Sequence, residues 1–156
     1  LQTIIENLAS KKLINNEVGG YSLSNYQINI IEEDVNAIKD IEKILFDSEM
    51  EPLLINELIN ITGYKSKRIG DLLHILISEG KIEHLGNDIY MHKINLNNLI
   101  KNLKIYFSNN KTLKISDFKT LFNLTRKTAI PLLEYLDKYD YTKRNQNLRI
   151  QGKSMR

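Results

Sequence analysis

Arg126 and Lys127 lie directly behind Thr125, where a helical apolar spacing (Ala129, Leu132, Leu133, Leu136) begins. Thr125 is the right residue type for an N-cap, which puts the two cations in the first turn. Cations there oppose the helix macrodipole, whereas a carboxylate would gain ~0.3–1 kcal/mol. They make sense beside a bound anion. The unpaired N–H groups of a first turn, an Arg fork and a Lys ammonium together form a phosphate seat. The other reading is two solvated charges of little cost. Downstream, the segment Tyr141–Ile150 alternates in character. If Leu148 and Ile150 turn to the core, Arg149 points outward, and Lys143, Arg144 and Arg149 form a strip that follows a sugar-phosphate backbone. Asn145, Gln146 and Asn147 offer amides that either read base edges or close a turn, and Lys114 is a further candidate contact. Pro131 removes one hydrogen bond from the same helix, which either bends it toward a ligand or is tolerated through good packing.

These residues occupy the basic part of an otherwise acidic chain. From Lys101 to Arg156 there are 13 Lys or Arg against 4 Asp or Glu, while residues 1–100 hold 9 basic and 15 acidic residues. The formal charge of +3 hides this polarity. A basic C-terminal module on an acidic carrier points to a polyanionic partner, nucleic acid first. A length of 156 residues with 42% hydrophobic and 26% charged content suits one ordinary domain or two small ones rather than disorder. Two prolines and seven glycines leave little for long linkers, so domains should abut closely. The absence of cysteine excludes disulfides and thiolate zinc sites and fits a reducing compartment. No apolar run approaches the ~18 residues of a membrane span. Leu1 already belongs to an apolar-periodic stretch, which reads as a piece of a longer chain.

The elements that must position the cations follow a repeated order. Leu1 to Lys12 has a helical stripe, and Leu13–Glu17 and Tyr21–Ile28 read as strands around Val18-Gly19-Gly20. A fuller block follows. It has a helix marked by Val35, Ile38, Ile41 and Leu45, a second helix with Pro52 in its first turn, and a helix-ending Gly63. Ser66 then caps a third helix with Ile69, Leu72, Leu73, Leu76 and Ile77 inward, Gly80 ends it, and Lys81–Leu85 and Ile89–Lys93 form a hairpin. The last block opens at Asn95 or Asn97, with Leu96, Leu99, Ile100, Leu103 and Phe107 on its first helix. A strand at Thr112–Ile115 comes next, then helices capped by Ser116 (Phe118, Leu121 and Phe122 inward) and by Thr125, and a hairpin of Tyr141–Arg144 with Leu148–Ile150. The expected fold is mainly α with small β hairpins (α+β), a tandem of winged helices. The domains are 1–34 (third helix and wing only), 35–94 (a complete spacer domain) and 95–156 (a complete nucleic-acid-binding domain).

Other chemistry is poorly supported. Lys65, Lys67 and Arg68 repeat the basic helix start in the middle block, but amid Asp71, Glu79, Glu83 and Asp88. His84 and His92 fall on paired strands without a third ligand, and no Gly-rich phosphate loop with its Lys is present. No catalytic constellation emerges.

The run from Ile115 to Leu121, then Thr125-Arg-Lys-Thr-Ala-Ile-Pro-Leu-Leu-Glu-Tyr-Leu-Asp137, then Thr142-Lys-Arg and Arg149, resembles the last winged-helix domain of the bacterial selenocysteine-specific elongation factors, the SelB family. The close likeness covers about 40 residues, and the preceding modules agree in layout. The resemblance implies RNA contacts by Thr125, Arg126 and Lys127 at the recognition-helix start and by Lys143, Arg144 and Arg149 on the wing. It implies the SECIS hairpin of selenoprotein mRNA as the ligand, and a monomer in the cytoplasm with no membrane partner. It implies no enzymatic activity and no cofactor in this segment. An upstream GTPase would use GTP and Mg and carry selenocysteinyl-tRNA to the ribosome. Thr125 stands where that family often has Ser, and Gln146-Asn147 where it usually has Gly-Asp at the wing tip. The rival reading from the residues is a DNA-binding winged-helix regulator, which lays its helix in a duplex major groove.

Overall fold

The computed structural model describes residues 14–17, 20–23 and 25–156, with side chains from Glu33 onward. Two compact units result, residues 1–39 and 40–156. In the first, strands β1 (Ile14–Glu17) and β2 (Gly20–Leu23) pair antiparallel with Ile14 opposite Leu23. The expected helix over residues 1–12 and the Val18-Gly19 turn lie outside the described residues. The second strand stops at Leu23 rather than Ile28, because the helical periodicity takes over early and α1 spans Asn25–Asp47.

The second unit repeats one order of elements. It runs β3 (Leu53–Leu54), α2 (Ile55–Thr62), α3 (Ser66–Ser78), β4 (Ile82–Gly86) and β5 (Ile89–His92), then α4 (Lys93–Asn109). The repeat is β6 (Leu113–Lys114), α5 (Ile115–Phe122), α6 (Arg126–Lys138), β7 (Thr142–Asn145) and β8 (Leu148–Gln151), closed by a 3-10 turn at Lys153–Met155. Each sheet is antiparallel with its last strand in the middle, in the orders β3-β5-β4 and β6-β8-β7. Two helices, a third helix and a three-stranded wing make each repeat a winged helix.

Several local expectations shift by one to three residues. Pro52 precedes β3 instead of opening a helix, and α2 starts after Leu54, whose N–H donates to the Glu57 carboxylate at 2.7 Å. Ser66 is the first residue of α3 rather than its cap, Ser116 likewise follows the α5 start, and neither helix has a side-chain cap. The last block's first helix begins at Lys93, earlier than Asn95, because His92 caps it: its Nδ1 accepts from the Ile94 N–H at 3.2 Å. Gly63 (φ 70°) ends α2 in the left-handed region, and Asn123 (φ 53°) does the same for α5.

The core of the last repeat extends into the wing of the repeat before it. Leu85, Ile89 and Met91 of the first wing join Leu96, Leu99, Leu103, Phe118, Leu132, Leu133 and Leu136 in a single buried cluster. Asn95 reinforces the junction, donating from its amide to the Leu45 and Phe46 carbonyls that end α1, at 3.1 and 2.9 Å. Two apolar residues placed inward by periodicity, Ile77 (37% exposed) and Leu121 (45%), face out instead: the buried stripe of α3 is Ile69, Leu72, Leu73 and Leu76, and that of α5 is Phe118 and Phe122.

Candidate nucleic-acid interface

The α6 start is built by the tight α5–α6 turn. Asn123 reverses the chain, Leu124 anchors it in the core, and Thr125 takes the extended N-cap conformation (φ −78°, ψ 161°). Arg126 and Lys127 project from the first turn, both exposed. The Thr125 hydroxyl does not cap the helix backbone as expected. It lies 3.0 Å from the Thr128 hydroxyl, which in turn donates to Glu51 Oε1 at 2.7 Å, with Thr125 Oγ1 3.4 Å from the same oxygen. Glu51 arrives from the segment before β3. A carboxylate thus already stands against the positive end of α6, where the dipole favours it. Its second oxygen is buried without a hydrogen-bond partner among the described residues. The expected phosphate seat is therefore shared with an internal acid that no local pattern in the sequence announces.

The wing departs further from expectation. Arg149 points inward: it is 4% exposed, and its guanidinium meets Asp137 Oδ2 at 3.3 Å from Nη2 and 3.4 Å from Nε. Thr142 Oγ1 donates to the other Asp137 oxygen at 2.6 Å. The reason is register. Arg149 lies opposite Leu113 on one side and Arg144 on the other, so it shares the core-facing side of the sheet with fully buried Leu113. Asp137, in the last turn of α6, supplies a partner there, and the alternation is inverted. Leu148 and Ile150 are only half-buried, on the outer face, opposite Lys114 and Lys143. Arg149 is thus a residue that locks the wing to α6, while Lys114, Lys143 and Arg144 are exposed. Gln146 and Asn147 form the two-residue turn, with Gln146 at φ 56°. Arg144 Nε donates to the Gln146 carbonyl at 3.2 Å, so this turn forms without Gly because a side chain ties it.

The candidate cations fall into two groups. Arg126 and Lys127 stand at one end of α6, and the wing is tied through Thr142 and Arg149 to Asp137 at the other. At 1.5 Å per residue, Arg126 and Asp137 are about 16 Å apart along the helix. Between these ends the helix is fixed from behind by the preceding repeat. Tyr135 is 9% exposed, and burial above all, then the charge and hydrogen bond of Glu83, push its phenol far above the ordinary tyrosine range. The same Glu83 pairs with Lys93. Pro131 is buried in this packing and α6 continues through it unbroken from Arg126 to Lys138.

The weaker candidates do not assemble into sites. His84 stacks on Tyr90 at 4.8 Å and His92 lies opposite Ile82, so the two histidines do not face each other. Among the described residues no group of metal-ligating side chains gathers. Arg68 of the middle basic cluster lies 5.0 Å over the Tyr64 ring.

Fold and site together define a winged-helix protein with cations exposed at the recognition-helix start and on the wing. Residues 105–151 match the family model described as "Elongation factor SelB, winged helix". This C-terminal segment is thus similar to a winged-helix domain of the SelB family. A selenocysteine-specific elongation factor of Desulfomicrobium baculatum is 34% identical over 82 residues, covering 53% of this chain and 13% of that protein. Among solved structures, the mRNA-binding domain of elongation factor SelB from E. coli in complex with SECIS RNA superposes with a TM-score of 0.65 at 23% identity. The match covers 77% of this chain and 98% of that one. A bacterial selenocysteine-specific elongation factor, EF-Sec, superposes with a TM-score of 0.62 at 23% identity over 96% of this chain and 23% of its own. The chain thus spans a small part of the full-length proteins it is similar to.

Proposed function

We propose that this chain is the mRNA-binding part of a selenocysteine-specific translation elongation factor, gripping the SECIS hairpin through its last winged helix. One coincidence carries the reading: the segment that matches the SelB winged helix, residues 105–151, is also the one with the cation surplus and the exposed Arg126, Lys127, Lys143 and Arg144. A solved SelB domain of the same fold is bound to SECIS RNA, which supports the same class of partner here. The physics agrees. A-form RNA hides its major groove, so a small domain does best by gripping backbone beside a loop or bulge and capturing a splayed base. A helix start and a wing suit that task.

In this reading residues 95–156 form the RNA-binding domain, 35–94 a spacer and 1–34 the end of a preceding domain. Thr125, Arg126, Lys127, Lys143 and Arg144 touch RNA, with Lys114, Gln146 and Asn147 at the margin, and Arg149 acts through the position of the wing. The segment itself holds no cofactor and performs no catalysis. A GTPase elsewhere in the full-length protein uses GTP and Mg and carries selenocysteinyl-tRNA to the ribosome in the cytoplasm. The deciding experiment is an anisotropy competition between a bulged RNA hairpin and duplex DNA of equal length. The hairpin should win, with a log-log salt slope of about −3 to −5 if some four to six phosphates are neutralised. Preference for the duplex would instead establish a DNA-binding regulator.

A further inference from the structure

The strand β8 does not end in solvent. It runs into Gly152, which has no room for a side chain: an added Cβ would lie 2.0 Å from the Asp140 carbonyl oxygen. The Gly152 N–H donates to the Tyr141 carbonyl at 2.8 Å, and the Ser154 N–H to that of Asp140 at 2.9 Å. Ser154 Oγ reaches the Tyr139 carbonyl at 2.8 Å, Gln151 Nε2 reaches that of Met155 at 3.1 Å, and Met155 is buried. The short turn at Lys153–Met155 is therefore held against the α6–β7 corner by backbone, side-chain and core contacts together. This anchoring leaves Lys153 and Arg156 exposed, beside the exposed wing residues Lys143 and Arg144. All four cations line one cleft of about 430 Å³ along the outer edge of β7, with Ile150 in its wall.

Two carboxylates also line it, Asp137 and Asp140. Asp137 is already neutralised, with both oxygens engaged by Arg149 and Thr142. The negative end of the α6 dipole is covered as well, because the Tyr135, Leu136 and Asp137 carbonyls accept from the N–H groups of Tyr139, Tyr141 and Asp140. Asp140 then sets one negative charge against the four cations, so what remains is an open, net cationic trough with Ile150 as its apolar contact. It suits the alternating phosphates and sugars of a nucleic-acid strand better than one small anion, which would need an enclosed seat.

We propose that this cleft is a second backbone-binding surface, in which Lys153 and Arg156 extend the wing's grip along the RNA beyond the recognition-helix start. The inference rests on the RNA-hairpin reading above and names contacts that reading does not contain. Because both cations meet phosphate, their contribution should be salt-sensitive and indifferent to sequence.

The test is a salt-series anisotropy titration of the whole chain with a bulged RNA hairpin. It compares the native protein, a Lys153→Ala/Arg156→Ala double variant, and a Lys153→Glu variant. The thermal midpoint of each variant is checked against the native value, since both side chains are exposed. The double variant should bind roughly tenfold more weakly, its salt slope should shrink by about 1–2, and the loss should be equal on a hairpin with altered loop bases. Lys153→Glu should weaken binding further than a Lys153→Ala variant titrated beside it, which neutralises Lys153 alone. Native binding with unchanged affinity and slope in the folded double variant would overturn the cleft while leaving the hairpin reading intact. A loss confined to one loop sequence would overturn its phosphate chemistry. No hairpin binding by the native protein would remove both readings.

Discussion

Asp137, Arg149 and Thr142 show how a residue of the right type can serve the wrong role in a sequence reading. Arg149 belongs to a basic wing by composition, yet its guanidinium is buried on Asp137. Removing one partner of a buried pair leaves an uncompensated charge, which costs more than the pair contributes. Asp137→Ala should therefore destabilise the protein by about 3 kcal/mol in urea denaturation, and a value within experimental error of zero would show that the pair is solvated. Arg126 is the opposite case, exposed and without a structural task in its own turn. Arg126→Ala should leave stability unchanged and weaken binding of a bulged hairpin by ~1–3 kcal/mol, as read by filter retention or anisotropy. Unaltered affinity would take Arg126 out of the interface. The exposed cations were legible from residue type and helix position alone. The orientation of Arg149 was not, because the alternation is anchored by Leu113, on the neighbouring strand but four elements earlier in the chain.

At the scale of elements, the helices were legible because their apolar spacing is strong, and their starts were not, because capping here is indirect. His92 and Glu57 cap helix starts that no Ser or Thr marks, while Ser66, Ser116 and Thr125, the caps that local sequence offers, make no side-chain cap. The wing was legible as a hairpin, but its closure was not. Gly152 adopts ordinary extended dihedrals (φ −80°, ψ 171°), so nothing about its conformation demands glycine; the demand comes from the neighbouring Asp140–Tyr141 backbone. Gly152→Ala should force that corner apart and lower stability by about 2 kcal/mol or more, with the amides of residues 139–155 losing hydrogen-exchange protection first. Native-like stability and protection would mean that the corner yields easily.

For the whole molecule, the wing of one repeat is built into the core of the next, so the two winged helices of the second unit do not sit as beads on a linker. The middle repeat then does more than set a distance. Through Tyr135 it fixes the back of α6, and through Glu51 it places a carboxylate at the front end of the same helix. That charge repels a phosphate approaching Arg126 and Lys127. Glu51→Gln keeps the shape and an acceptor for Thr128 while removing the charge. Hairpin affinity at low salt should rise about two- to fivefold, with the gain fading as salt screens it. A fall in affinity would mean that Glu51 instead holds the helix start in its binding geometry.

By itself the sequence determined the winged-helix order, the basic C-terminal module and the exposed cations at Arg126, Lys127, Lys143 and Arg144. Each of these rests on local periodicity, charge and turn chemistry, which act over a few residues. Only the tertiary structure decided that Arg149 turns inward, that Glu51 reaches Thr128 and that Lys153 and Arg156 join the wing's cleft. Those outcomes depend on sheet register and on packing between elements far apart in the chain, where burial selects which partner a polar group must find.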